Sequence, residues 1–200
     1  HHLMSCQGVD KLERRTRIGW SRRPDTMSSG QATFLIRLKP REPVANEMTF
    51  SFEDDGAVPH VPASYDAAVE AARHVVAHHM GRASKVRTSQ ESLNRWLRRA
   101  SADLEMMLTD TKEGLYPYAG IPWFSTPFGR DGLITAMELL WVQPDIARGV
   151  LSFLAATQAT SYSDAQDAEP GKIIHEMRSG EMAALGEVPF GRYYGSIDST

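Results

Sequence analysis

The residues whose types and spacing best suit chemistry lie in the second half of the chain, at the adjacent pair Arg130-Asp131. A guanidinium donates through a planar fork and a carboxylate accepts two hydroxyl protons, a match for vicinal or 4,6-related hydroxyls of a sugar. Asp131 also reads as the N-cap of the helix that follows. Immediately upstream runs GLYPYAGIPWFSTPFGR, in which Tyr116, Tyr118, Trp123, Phe124 and Phe128 crowd together. Pro117, Pro122 and Pro127 keep this stretch non-helical. Aromatic faces shed water against the C–H patches of a pyranose ring while polar loop groups bind its hydroxyls, so the stretch reads as a sugar platform. The plainer alternative is a hydrophobic loop that plugs one end of a helical array.

A second stretch, Gln158 to Thr200, has little periodicity and several Gly and Pro residues. Ile173, Ile174, Met177, Phe190, Tyr193 and Tyr194 give it too much apolar content for disorder. A structureless connection of this length is usually functional. His175, Glu176, Arg178, Glu181, Arg192 and Asp198 make it a candidate site wall, although each residue alone reads as a surface ion pair or cap. His74, His78 and His79 offer an i, i+4 pair with no third ligand and read as solvated helix residues, so no metal is expected. No phosphate loop, dinucleotide fingerprint or serine elbow is present, and no cofactor is expected.

Composition narrows the partners. The chain is 42% hydrophobic and 24% charged, close to globular averages, with a net charge of −3 at pH 7. Nucleic acid would call for a clustered basic surface. The basic residues between Lys11 and Arg23 are diluted by Asp10, Glu13 and Asp25, and read as an exposed strand face. Cys6 stands alone, so no internal disulfide forms, in agreement with a reducing, cytoplasmic compartment. No run approaches the ~20 apolar residues of a membrane span. The chain opens HHLMSC, outside any recognisable start context.

The elements that must position these residues fall into two parts. Residues 1–56 read as strands, at Arg15–Trp20, Gln31–Leu38 and Met48–Asp55, and form the close of a β domain. Residues 57–87 read as a linker and a first helix, Pro62 to Met80. Residues 88–200 read as helical hairpins. Thr88 and Glu91 are spaced as a capping box opening an amphipathic helix with Leu93, Trp96, Leu97, Ala100, Leu104, Met107 and Leu108 on one face. Further helices are expected at Asp131–Trp141 and Asp145–Ala156, paired about Gln143-Pro144. The expected fold class is mainly α, with no sheet after Pro62.

The run YPYAGIPWFSTPFGRDGLITAMELLW, continued by FLAATQAT, DAEPGKIIHEMRSGEMA and PFGRYYGSIDST, resembles the amylo-alpha-1,6-glucosidase family of bacterial glycogen-debranching-type proteins. Residues 1–56 resemble the close of that family's N-terminal β domain more loosely. The resemblance implies the start of an α/α barrel of six helical hairpins behind a β-sandwich. It implies hydrolysis of α-glucosidic bonds of an α-glucan or oligosaccharide, with inversion, by one carboxylic acid and one carboxylate. Arg130 and Asp131 inherit a hydroxyl-binding role from it, and Asp198 that of a second hydroxyl-binding carboxylate. Trp123, Phe124, His175, Glu176 and Tyr194 complete the expected substrate-binding set. The resemblance places the acid and base beyond Thr200; within the chain Asp198 is the best candidate. Other readings are a glucoamylase-like or trehalase-like barrel glycosidase, or a non-catalytic carbohydrate-binding relative.

Overall fold

Residues 1–54, 64–188 and 191–199 are described in a computed structural model, in which the chain divides into two units, His1–His74 and Val75–Thr200. Pro62, Pro189, Phe190 and Thr200, which the sequence reading used, lie outside the described residues. In the first unit β1 (His2–Gln7), β2 (Glu13–Trp20) and β5 (Met48–Asp54) form an antiparallel sheet in the order β1-β2-β5. Thr16 lies opposite Met4 on one side and Phe52 on the other. The alternation in MTFSFED is real, but its polar members are the covered ones. Ser51 and Glu53 are buried, Glu53 meeting Arg17 at 3.2 Å, while Phe50 and Phe52 are exposed.

The strand expected over Gln31–Leu38 shrinks to β4 (Ala32–Thr33), paired with β3 (Thr26–Met27). Side chains take the hydrogen bonds that would extend it. Asp25 Oδ2 accepts from the Leu35 amide at 2.8 Å, and Arg22 donates to the Leu35 carbonyl at 3.0 Å.

Helix α1 (Tyr65–Arg82) runs from the first unit into the second. The solvated reading of its histidines holds for His74 but not for His79, which is buried with Nδ1 3.1 Å from Glu105 Oε2. Helix α2 (Glu91–Glu105) forms as its periodicity demands, without the Thr88/Glu91 capping box. The Asn94 side chain replaces it, accepting from the Thr88 amide at 2.8 Å and donating to the Thr88 carbonyl at 3.0 Å. Met107 and Leu108 are not part of the helix; the chain turns there into a hairpin, β6 (Leu108–Thr111) and β7 (Gly114–Pro117). Gly114 takes the left-handed backbone (φ 125°) that closes the turn.

Helices α3 (Gly129–Leu139) and α4 (Pro144–Thr157) pack against each other, and α4 packs on β7. Ile146, Val150, Phe153 and Leu154 recur at helical spacing on one face of α4 and are buried with Tyr116, Ala136, Ile174 and Tyr194. Each of the four α4 side chains contributes about 1.5–3 kcal/mol by leaving water. The packing is close because small residues sit at the crossings: a Cβ at Gly149 would overlap the Leu115 carbonyl oxygen. Beyond α4 the described residues hold a single 3-10 turn at Asp164–Gln166 and a short α5 (Glu181–Ala184).

The architecture corrects the expected fold class. The described residues make a small α/β protein of five helices and three small antiparallel sheets, with no barrel of helical hairpins among them. Two features prevent it. The β6–β7 hairpin interrupts the helices, and among the described residues α3 and α4 form the one extensive helix–helix contact; the apolar stripe of α2 contributes no buried residue. Among the described residues no helix is long and apolar enough to cross a membrane.

Candidate functional site

The site is built around the start of α3. Its N-cap is Phe128, in extended conformation, and Asp131 sits in the first turn rather than at the cap where the sequence placed it. With no side-chain cap, the entry is held by backbone from a distant segment. The Gly129 amide donates to the His175 carbonyl at 3.0 Å, Phe128 bridges Glu176, and Glu176 bridges Tyr193. The Tyr116 hydroxyl, fully buried, donates to the Phe128 carbonyl at 2.9 Å. Gly129 has to lack a side chain, because a Cβ there would overlap the Ile174 carbonyl oxygen and crowd Ser199.

One turn of helix thus holds Arg130 and Asp131 against the end of the long irregular segment. Arg130 Nη1 donates to Asp198 Oδ2 at 2.6 Å, and Nη2 lies 3.8 Å from Asp131 Oδ2. The Ser196 hydroxyl donates to Asp198 Oδ1, and the Asp198 amide donates back to Ser196 Oγ at 3.3 Å. The three charged side chains are 39–47% exposed, so ligand atoms can reach them. Asp131 also borders a groove of about 270 Å³ walled by Leu104, Met107, Tyr118 and Ile134. Burial pushes the Tyr118 phenol above its ordinary value near 10, which keeps it a neutral hydroxyl.

The aromatic loop meets the same segment through an edge-on ladder. Phe124 and Phe128 have centroids 6.0 Å apart, Phe128 and His175 5.7 Å, and His175 and Tyr193 5.9 Å. The Tyr193 hydroxyl is tied to Asp167, whose carboxylate accepts from it and raises the phenol's pKa. His175 Nδ1 is buried and has no hydrogen-bond partner among the described residues. Glu176 is buried and accepts from Arg178 Nε at 2.6 Å. Arg178 Nη1 donates to the Trp123 carbonyl at 2.9 Å while its guanidinium lies 4.4 Å over the Trp123 ring. The Thr126 hydroxyl donates to the Met177 carbonyl and closes the loop.

The residues singled out from sequence therefore divide. Arg130, Asp131 and Asp198 come together as one charged corner. Trp123 and Phe124 stand about half exposed, Trp123 linked through Arg178 to Glu176 and Phe124 through the ladder to His175. Tyr194 points the other way. It is 3% exposed, and its hydroxyl donates to the Thr157 carbonyl at 2.7 Å, so it anchors the wall from inside. Sequence reasoning gave no individual role to Arg178 and did not see that Tyr118 lines a groove with Asp131. An arginine two residues after a buried carboxylate was the available signal for the first. No protein-family model matches the chain, and no curated protein is significantly similar to it. The glucosidase resemblance rests on the motifs themselves.

Proposed function

We propose that Arg130, Asp131 and Asp198 form a hydroxyl-binding corner for a terminal glucosyl unit, in a glycoside hydrolase of the amylo-alpha-1,6-glucosidase type. Its substrates are α-glucosidic bonds of glycogen-like or oligosaccharide molecules, in the cytoplasm. The observation that carries this reading is the 2.6 Å contact between Arg130 and Asp198, residues 68 positions apart that sequence reasoning had marked separately for the same task. In the corner the guanidinium donates to ring hydroxyls, and the two carboxylates accept hydroxyl protons. The exposed rings of Trp123 and Phe124 supply the apolar surface that a pyranose needs.

Binding of this kind aids cleavage when the hydrogen bonds tighten at the transition state. In the complete enzyme Asp131→Asn then lowers kcat/KM by a factor equivalent to about 2–4 kcal/mol. Glucose release from α-1,6- and α-1,4-linked oligosaccharides measures it; full activity in the variant removes the clamp role.

A second reading is a non-catalytic carbohydrate-binding protein. One observation favours it: each site carboxylate already has a guanidinium partner, Asp131 and Asp198 sharing Arg130, and Glu176 held by Arg178. In the full-length protein, oligosaccharide binding without glucose release distinguishes this reading from the first.

A further inference from the structure

We propose that Arg178 is a positioning residue that fixes the Trp123 indole as a stacking surface for sugar, an inference that rests on the sugar-binding reading above. Trp123 lies in a loop that no helix or strand supports, and its side chain is 56% exposed. An exposed indole on such a loop would lose rotamer freedom on binding, at a cost to affinity. Arg178 removes that freedom beforehand in two ways at once. Its Nη1 holds the Trp123 main chain through the carbonyl oxygen at 2.9 Å, and the central carbon of its guanidinium lies over the ring, 4.4 Å from the centroid.

Arg178 is itself held. Its side chain is 13% exposed, and Glu176, 7% exposed, accepts from Nε at 2.6 Å. Glu176 is in turn clasped by backbone bridges to Phe128 and Tyr193. The rigidity of the wall is thereby passed to a loop with no regular structure of its own. With one indole face occupied by the guanidinium, a sugar stacks on the other. The cation–π contact uses the planar fork, so lysine is a poor substitute.

The test is a double-mutant cycle on the full-length protein, with isomaltotriose and maltotriose as probes and calorimetry for affinity. Four variants enter it: Arg178→Gln, Trp123→Ala, the double variant, and Arg130→Ala as a control for the corner. Acrylamide quenching of the emission lost in Trp123→Phe reports the mobility of the indole. Arg178→Gln is expected to weaken binding on the order of five- to twenty-fold. It should raise the quenching of Trp123, and have no further effect in the Trp123→Ala background. If Arg178→Gln does not fold, Arg178→Lys takes its place, with affinity loss and raised quenching again expected.

Loss of affinity with Trp123→Ala and Arg130→Ala, but wild-type binding with the Arg178 variant, overturns the positioning role and leaves the sugar-binding reading standing. An undiminished effect of the Arg178 variant without Trp123 also overturns it, because Arg178 would then act by another route. Wild-type binding in both Trp123→Ala and Arg130→Ala overturns the sugar site and the inference together.

Discussion

Replacing Arg130 by Ala separates binding from folding at this site, and the structure sets the size of both effects. The side chain is 47% exposed, and Asp198 and Asp131 are 43% and 39% exposed. Ion pairs that wet contribute about 0–1 kcal/mol to stability. The melting temperature should therefore fall by no more than about 2–8 °C. The cost to binding is larger. A sugar loses two charge-assisted hydrogen bonds from the guanidinium, each about 1.5–3 kcal/mol, and meets two carboxylates that no longer have a cation between them. The lower end of that sum, about 3 kcal/mol, corresponds to affinity lower by a factor on the order of 100. Arg130→Lys keeps the charge without the fork and should lie between, near tenfold. Titration calorimetry with isomaltotriose and maltotriose, beside thermal melts of the same samples, reads both quantities. Affinity within twofold of wild type would refute the corner as a sugar site. A fall in melting temperature well beyond 8 °C would show that the ion pair serves the fold instead.

Two further predictions concern the support beneath the corner. Tyr116→Phe removes the hydroxyl that reaches the Phe128 carbonyl at 2.9 Å and should cost about 0.5–1.5 kcal/mol in urea unfolding near neutral pH. Burial raises the Tyr116 phenol above its ordinary value of 10.0, so the fold favours the protonated form; that stability is complete below pH 10 and falls as pH rises above it. The variant should accordingly lose less stability than wild type between pH 10 and 11, and an identical alkaline decline would refute the assignment. Gly129→Ala forces a methyl against the Ile174 carbonyl, and should destabilise by about 1–3 kcal/mol while weakening sugar binding through displacement of Arg130. A wild-type unfolding midpoint would mean the α3 entry tolerates movement.

What could be read from sequence follows the range of the interactions involved. The spacing Ile146, Val150, Phe153, Leu154 is a local signature of a one-sided helix, and α4 follows it within a residue or two. The β6–β7 hairpin escaped because Met107 and Leu108 continue the apolar phase of α2. The Lys112-Glu113-Gly114 turn that ends that phase is short, and only Gly114 in it has special backbone needs. The α3 start escaped by two residues for a different reason. Asp131 has the composition of a cap, but the amide at Gly129 is satisfied by the His175 carbonyl, a partner no local rule supplies. The barrel expectation came from resemblance, and helix signals alone could not test whether the helices would meet. The corner was legible as a set of residues, because guanidinium and carboxylate chemistry is written in residue type. Its geometry was not, since Asp198 meets Arg130 across 68 positions of chain, where the Phe128–Glu176–Tyr193 bridges join the two segments.

The division between buried and exposed polar groups narrows what can bind. Glu176, Tyr116 and Tyr194 are buried, and each already has an internal partner. Turning one of them toward a ligand would leave a buried group unsatisfied at about 1–3 kcal/mol. Under the proposed reading, recognition falls to the exposed set, Arg130, Asp131, Asp198, Trp123 and Phe124. In that set one guanidinium faces two carboxylates, an excess of one negative charge. A phosphate or carboxylate ligand would gain one cation and meet two anions. A strongly cationic ligand would have to displace Arg130 from its 2.6 Å contact with Asp198. A neutral polyol avoids both costs, because each hydroxyl can accept from the guanidinium and donate to a carboxylate in the same geometry. The half-exposed rings then reward a ligand that also carries a C–H face. A pyranose has both properties; inorganic phosphate, nucleotides and polyamines lack one or the other.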